Sequence, residues 1–395
     1  MLQQRCLSSR PTLFISACFL GIWAVGPAIG QPPAARPPDF NSPVVSPDHT
    51  ITFKILAPKA SSVRLNAGDI PFDKVKGGAM RRDKDGIWEL TTDPVTPGAY
   101  RYTFQVDGVA TLDPKNGATT ESVGNAWSLS VVPGSELMDT REVPHGAVAV
   151  ITYHSSRLGF DRRMHIYTPP GYEKVSAKYP VFYLLHGAGD TDDAWTTVGR
   201  AGFIFDNLIA AGKAKPMIVV MPAGHTRSFG PGSPLPAPDE FTRDFVGDVM
   251  PYVESHYRTK NDRADRAIAG LSMGGFQTLN AMATKPDAFA YVGVYSSGLF
   301  GIVPFGQARA ATTPPAEFPW AVEHRAVLQS PDTKKGLKLF WFGIGKEDFL
   351  FATNTATVAM YKKYGFDVIY HESAGGHTWL NWRDYLIDFT PRLFR

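Results

Sequence analysis

The hexapeptide Gly270-Leu271-Ser272-Met273-Gly274-Gly275 constrains this 395-residue chain more than any other stretch. It follows the short apolar run Ala267-Ile268-Ala269 and precedes a helix-compatible segment that reaches Ala283. A serine between strand and helix, with glycine two residues to either side, is the G-x-S-x-G turn that exposes a hydroxyl at the end of a buried strand. The glycines are needed because the turn is strained and a side chain there collides with its neighbours. The helix N-terminus behind Ser272 favours negative charge.

From about residue 145 the sequence supplies the frame such a turn requires. Val181-Phe-Tyr-Leu-Leu185, Met217-Ile-Val-Val-Met221, Tyr291-Val-Gly-Val-Tyr295 and Leu337-Lys-Leu-Phe-Trp-Phe342 are apolar but for Lys338, as strands buried on both faces are. Helical patterns separate them, which predicts a mainly parallel sheet covered by helices. Phe241, Phe245, Val249, Val253 and Tyr257 recur every four residues, marking an amphipathic helix with a kink expected at Pro251. The expected fold class is α/β, an α/β-hydrolase catalytic domain over residues 145–395. The texture ahead of it is different. Ile51-Thr-Phe-Lys-Ile-Leu56, Ser62-Val-Arg-Leu65, Ile87-Trp-Glu-Leu90, Tyr100-Arg-Tyr-Thr-Phe-Gln-Val106 and Trp127-Ser-Leu-Ser-Val-Val132 are short and mostly alternating, with Asp85-Gly86, Pro97-Gly98 and Asp107-Gly108 as turns. They predict a small all-β immunoglobulin-like sandwich over residues 41–134.

The N-terminus places Arg5 and Arg10 before an apolar run, residues 13–25, followed by Gly26-Pro27 and small residues. That layout predicts a signal peptide over residues 1–30 with cleavage near Gly30/Gln31, and hence a secreted or periplasmic protein. The run is shorter than the roughly 18 to 20 residues a membrane anchor needs. Proline-rich residues 31–40 read as a linker. Removing residues 1–30 takes away two arginines and no acid, so the formal net charge falls from +3 to +1. No broad basic surface for nucleic acid or an anionic membrane is expected. Both cysteines, Cys6 and Cys18, lie in the same segment, so cysteine nucleophiles and cysteine-ligated zinc are excluded from the remainder.

A serine hydroxyl is a poor nucleophile near neutral pH, so a base must take its proton and a carboxylate must orient the base. In α/β-hydrolases the order is Ser, acid, His. Of the ten histidines, His371 and His377 lie after the last long apolar strand. His371 sits inside a strand-like run, whereas His377 falls in the loop Ala374-Gly-Gly-His-Thr-Trp379 and is the expected base. The acid is expected after the strand ending Phe342-Gly-Ile-Gly-Lys-Glu-Asp348. Asp348 is the choice and Glu347 the alternative. The oxyanion formed on attack needs backbone N–H donors. The amide of Met273 and that of Ala188, in His186-Gly187-Ala188-Gly189, are the candidates, with His186 as a buttress of that loop. No metal or organic cofactor is required. A non-catalytic carbohydrate-binding protein on a hydrolase scaffold is the rival reading. Its expected mark is a missing triad member, and none is missing.

These residues share their context with Arg163-Met-His-Ile-Tyr-Thr-Pro-Pro-Gly171, Tyr183-Leu-Leu-His-Gly187, Asp193-Ala-Trp195, Lys215-Pro-Met-Ile-Val-Val-Met-Pro222, Gly224-His225 and Asp244-Phe-Val-Gly-Asp-Val-Met-Pro251. Together they resemble the feruloyl and acetylxylan esterases of carbohydrate esterase family 1. The resemblance implies a plant cell-wall polysaccharide ester as substrate, with Gly187 and Trp195 in the substrate site. The β-rich region in front resembles the early-set, CBM48-like domains that precede many such esterases. Its Trp88, Tyr102 and Trp127 are candidates for stacking on sugars or for core. Enterochelin esterases share the two-domain plan and are the alternative. Mycolyltransferase-like acyl transfer is a third use of the same triad. The loops at 225–240 and 299–323 are rich in Gly, Pro and aromatics. Their Phe229, Phe300, Phe305, Phe318 and Trp320 either embrace a phenolic acyl group or form loop core.

Overall fold

The computed structural model describes residues 38–70, 76–227, 239–303 and 318–395. The expected signal peptide, residues 1–30, and most of the 31–40 linker lie outside them, as do Phe229 and Phe305. From Phe40 to Arg395 the chain forms one compact unit.

Nine strands come first: β1 (Val44–Val45), β2 (Ile51–Leu56), β3 (Val63–Asn66), β4 (Arg81–Arg82), β5 (Ile87–Thr91), β6 (Gly98–Val106), β7 (Val109–Thr111), β8 (Thr119–Ser122) and β9 (Asn125–Val132). They pair antiparallel into two sheets, β1-β2-β5-β4 and β3-β6-β9-β8, with β7 added to β6. The alternation seen in the sequence becomes an inner face, on which Ile51, Phe53 and Ile55 meet Leu90, Tyr100 and Phe104. Trp88 and Tyr102 belong to that core and not to a sugar-stacking surface. Trp88 Nε1 donates to the Ala57 carbonyl at 3.0 Å, and the Tyr102 hydroxyl donates to Asp113 at 2.8 Å. Trp127 is half-buried and donates to Ser122 Oγ at 3.1 Å.

The second region is an eight-stranded sheet of β10 (Ala147–Ser155), β11 (Phe160–Thr168), β12 (Val181–Leu185), β13 (Ile218–Pro222), β14 (Arg266–Leu271), β15 (Tyr291–Tyr295), β16 (Leu339–Gly345) and β17 (Ile369–Ser373). Its order is β10-β11-β13-β12-β14-β15-β16-β17, antiparallel at the first two pairings and parallel from β13 onward. The helices are α1 (Ala201–Ala210), α2 (Glu240–Asp244), α3 (Met250–His256), α4 (Met273–Thr284), α5 (Pro319–Glu323), α6 (Arg325–Gln329), α7 (Pro331–Gly336), α8 (Phe351–Lys363) and α9 (Trp379–Phe389). Strands β12, β13, β15 and β16 are buried throughout. Val181, Tyr183 and Leu185 enter one core while Phe182 and Leu184 enter the other, as a two-residue period under helices on both faces demands. Each such side chain contributes about 1.5–3 kcal/mol of apolar burial.

The helix expected to kink at Pro251 instead takes a π turn, Phe245–Val249, between α2 and α3. Pro251 lacks an N–H and its ring crowds the carbonyl one turn back, and the wider π turn relieves both constraints while Phe241, Phe245, Val249 and Val253 stay buried.

The β-rich region is not a detachable bead. Ala99 of β6 and Leu129 of β9 lie in the same core as Phe182, Trp195 and Trp379. Arg383 of α9 is only 1% exposed and donates to the carbonyls of Ala99 (3.0 Å) and Val198 (2.9 Å), joining the two regions. Urea unfolding followed by tryptophan fluorescence and by circular dichroism is expected to give one coincident transition. Arg383→Ala is expected to lower its stability by about 3 kcal/mol, through two lost charge-assisted hydrogen bonds and a cavity. Two separable transitions would contradict a shared core.

Candidate active site

Ser272 sits between β14 and α4 with φ 50° and ψ −116°, a positive-φ conformation that costs a non-glycine residue about 1–3 kcal/mol. Its surroundings hold it there. The Ser272 amide donates to the Tyr295 carbonyl at 2.9 Å, and the Ser272 carbonyl accepts from Ser297 Oγ at 2.5 Å and the Gly275 amide at 3.0 Å. The flanking glycines matter through close approach. A Cβ on Gly270 would lie 2.3 Å from the Gly274 carbonyl oxygen, and one on Gly274 would lie 2.6 Å from the His186 carbonyl oxygen.

The acid and the base leave the ends of the next strands. In register, Leu271 pairs with Tyr295, Tyr295 with Gly343, and Gly345 with Ser373, so the turns after β14, β16 and β17 share one edge of the sheet. Glu347 N–H donates to the Gly375 carbonyl at 3.0 Å, tying the Asp348 turn to the His377 loop. His377 Nδ1 lies 3.0 Å from both Asp348 oxygens, so Nδ1–H is the donor and Nε2 is left for other chemistry. Asp348 is 4% exposed and also accepts from the Leu350 amide at 2.8 Å. Glu347, the alternative acid, is exposed. His371 is an exposed strand residue stacked on Trp341.

The loop after β12 passes beside Ser272: a Cβ on Gly187 would lie 3.3 Å from Ser272 Cβ. Gly187 is thus part of the wall against the elbow, and Ala188 at the loop tip is exposed. His186 buttresses this loop as expected. Its Nδ1–H donates to the Gly187 carbonyl at 2.8 Å and its Nε2 accepts from the Gly224 amide at 2.7 Å. Burial pulls the His186 pKa below its ordinary value and keeps the ring neutral for that pattern. Gln277 of α4 donates to the Gly224 carbonyl at 2.9 Å, fixing the loop after β13 to the same helix.

Trp195 is a correction. It is 1% exposed, donates from Nε1 to the Leu185 carbonyl at 3.1 Å and packs edge-on against Trp379 at 5.0 Å. It supports the strand that carries the loop and cannot touch a substrate. Phe318 is likewise buried in the core. Trp320 is packed against that core and donates to Asn280 at 2.8 Å, so both are loop core. Phe300, by contrast, is 41% exposed and stacks on Phe276, one turn along α4 from Ser272, at 4.9 Å. Sequence reasoning passed over Phe349, which is 58% exposed with its ring 4.4 Å from that of His377. Its place directly after Asp348 was the available signal. Among the described residues no group of three or more His, Cys, Asp or Glu side chains is placed to hold a metal. No helix among them is long and apolar enough to cross a membrane.

The family model described as "Putative esterase" matches residues 155–393, the span that carries all of these turns. The chain belongs to this esterase family. Over 370 residues it is 31% identical to an endo-1,4-beta-xylanase/feruloyl esterase of Xylanibacter ruminicola, covering 91% of this chain but 46% of that protein. The chain thus spans about half the length of that relative. Among solved structures, a ferulic acid esterase is similar at 27% identity and TM-score 0.52, over 64% of this chain and 99% of that one. The enterochelin esterase of Shigella flexneri shares the fold at 19% identity and TM-score 0.61, over 88% of this chain and 92% of that one. That share exceeds the α/β region alone, so the β-rich region takes part in the likeness.

His225 closes the site from the β13 side, its Nε2 accepting from the Gly189 amide at 3.2 Å. Burial, with His186 and Arg162 nearby, lowers its pKa to about 4. Unfolded, it titrates near 6.5, so between those values the unfolded chain binds the extra proton and stability falls as pH drops from about 6.5 to about 4. The expected loss is roughly 2 kcal/mol after discounting for partial solvent contact. Urea midpoints measured for the esterase and for His225→Asn across that range check this, and the variant should lose less on acidification.

Proposed function

We propose that this esterase-family protein is an exported serine hydrolase that cleaves carboxylic esters on plant cell-wall polysaccharide, with a phenolic acyl group such as feruloyl preferred to acetyl. Ser272 is the nucleophile. The observation that carries this reading is the Asp348–His377 pair, held by two 3.0 Å contacts on the same sheet edge as the strained Ser272 turn. His377 Nε2 takes the Ser272 proton as Oγ attacks the ester carbonyl. The amides of Met273 and Ala188 receive the oxyanion, each worth about 10² to 10³ in rate. His377 then protonates the leaving sugar alkoxide oxygen to give the free hydroxyl, and a water activated by the same nitrogen releases the acid and restores Ser272. Asp348 orients the ring and stabilises its charged form.

Support for an aromatic acyl group comes from Phe349 and Phe300, two exposed rings near His377 and Ser272. The names of the feruloyl and ferulic acid esterases it resembles point the same way. A trilactone siderophore is the second reading, favoured by the architecture shared with the enterochelin esterase. The N-terminal region is read as an immunoglobulin-like, CBM48-type module, and residues 1–30 as the export signal.

Purified protein assayed on methyl ferulate, acetylated xylan and a trilactone siderophore is expected to prefer methyl ferulate. Preference for the siderophore would reverse the substrate reading. Ser272→Ala is expected to lower kcat by at least about 10⁴-fold with the fold intact. Phe349→Ala is expected to cut kcat/KM on methyl ferulate by about tenfold and on 4-nitrophenyl acetate by less than about threefold.

A further inference from the structure

The β-rich region reaches into the candidate site through one hairpin and one arginine. Strands β8 and β9 and their connecting turn lie against the loop that follows β12. Ser122 bridges Asp190, and the Val123 amide donates to the Gly189 carbonyl at 2.9 Å. The Glu121 amide donates to Asp193 at 2.8 Å, and the Thr120 and Thr197 hydroxyls are 2.6 Å apart. Beside them Arg101 of β6 forks between two carboxylates. Its Nε and Nη2 donate to Asp69 at 2.6 and 3.1 Å, and its Nη1 donates to Asp190 at 2.6 Å.

Asp190 lies two residues after Ala188 in the loop that follows β12, and it is 6% exposed. A carboxylate so buried needs a cation or must take up a proton, and either departure alters what the loop is anchored to. Within this loop two backbone amides are also engaged: Gly189 N–H donates to His225 and Asp190 N–H to the Gly187 carbonyl at 3.3 Å. The amide of Ala188, the residue before Gly189, is not used by these anchors. Burial pushes the Asp190 carboxyl upward while Arg101 and, more weakly, His377 pull it back, so Asp190 lies within electrostatic reach of the base.

We propose that Arg101 is a positioning residue for ester hydrolysis: by pairing with Asp190 it holds the Gly187–Asp190 loop so that the Ala188 amide meets the developing oxyanion. The N-terminal region is then part of the catalytic apparatus, whether or not it also binds glycan. This rests on the reading of Ser272 as nucleophile and Ala188 as oxyanion donor.

The test uses the full chain with 4-nitrophenyl acetate, whose small acyl group makes few demands on the substrate pocket. Arg101→Met is expected to lower kcat about 30- to 100-fold with KM changed less than about threefold, since the donor acts on the transition state. Arg101→Lys should recover at least a third of the lost activity on a logarithmic scale. Thr120→Val, which loosens the same hairpin without touching Asp190, should change kcat less than about threefold. Arg101→Met combined with Asp190→Asn should be no slower than Arg101→Met, because the two act as one unit. If Arg101→Met does not fold, Asp190→Asn alone reads the same coupling and should lose kcat rather than raise KM. An Arg101→Met that melts earlier but keeps kcat, or a loss matched by Thr120→Val, overturns the proposal while Ser272→Ala remains inactive. Activity in Ser272→Ala overturns the reading beneath it and this proposal together.

Discussion

The strained, positive-φ backbone at Ser272 is the constraint around which this molecule is organised. A serine at φ 50° is unfavourable alone, and it persists because the turn is pinned by the Tyr295 carbonyl, Ser297 and the first amides of α4. Pinning of that kind needs a rigid floor. Strands β12 to β16, buried on both faces between two apolar cores, supply it. Neighbouring backbone must also come closer than any side chain allows, which is why Gly270 and Gly274 flank the serine. The strain at the turn is thus offset by packing spread across the whole sheet, and the hydroxyl is left at its open edge.

The same edge gathers the other groups, each with its own support. His377 is held by a buried carboxylate that is itself held by the backbone of Leu350. The loop beside Ser272 is buttressed by two neutral histidines, His186 from within and His225 from the β13 side. It is met on its outer side by β8, β9 and Arg101. Pre-organisation of this sort suits an esterase, because donors fixed before the reaction need no reorganisation when charge appears. It also gives the N-terminal region a reason to be fused into the α/β core through Ala99, Leu129 and Arg383.

Much of this could be read from the residues alone, for reasons that are chemical. The Ser272 turn and the Asp348–His377 pair were legible because a serine nucleophile would call for these residue types in this order, and glycines mark the turns. The two sheets were legible because alternation and unbroken apolar runs are direct consequences of one-sided and two-sided burial. Trp195 was misread because a residue that accompanies a site in sequence can serve it from behind, as this one does through the Leu185 carbonyl. The accommodation of Pro251 by a π turn was hidden because the apolar period survives it. The Arg101–Asp190 pair joins positions 89 apart with no pattern between them, so only the folded chain brings it to view.

The proposed hydrolysis depends most directly on the nucleophilicity of Ser272. Intact-mass and peptide-mass spectrometry after incubation with an alkyl fluorophosphonate tests it, since Oγ attack on phosphorus expels fluoride and leaves a covalent phosphonyl adduct. One adduct per chain is predicted, on the peptide containing Ser272, with ester hydrolysis lost in step and no adduct on Ser272→Ala. Labelling at another residue, or full ester hydrolysis by a chain quantitatively labelled at Ser272, would contradict it.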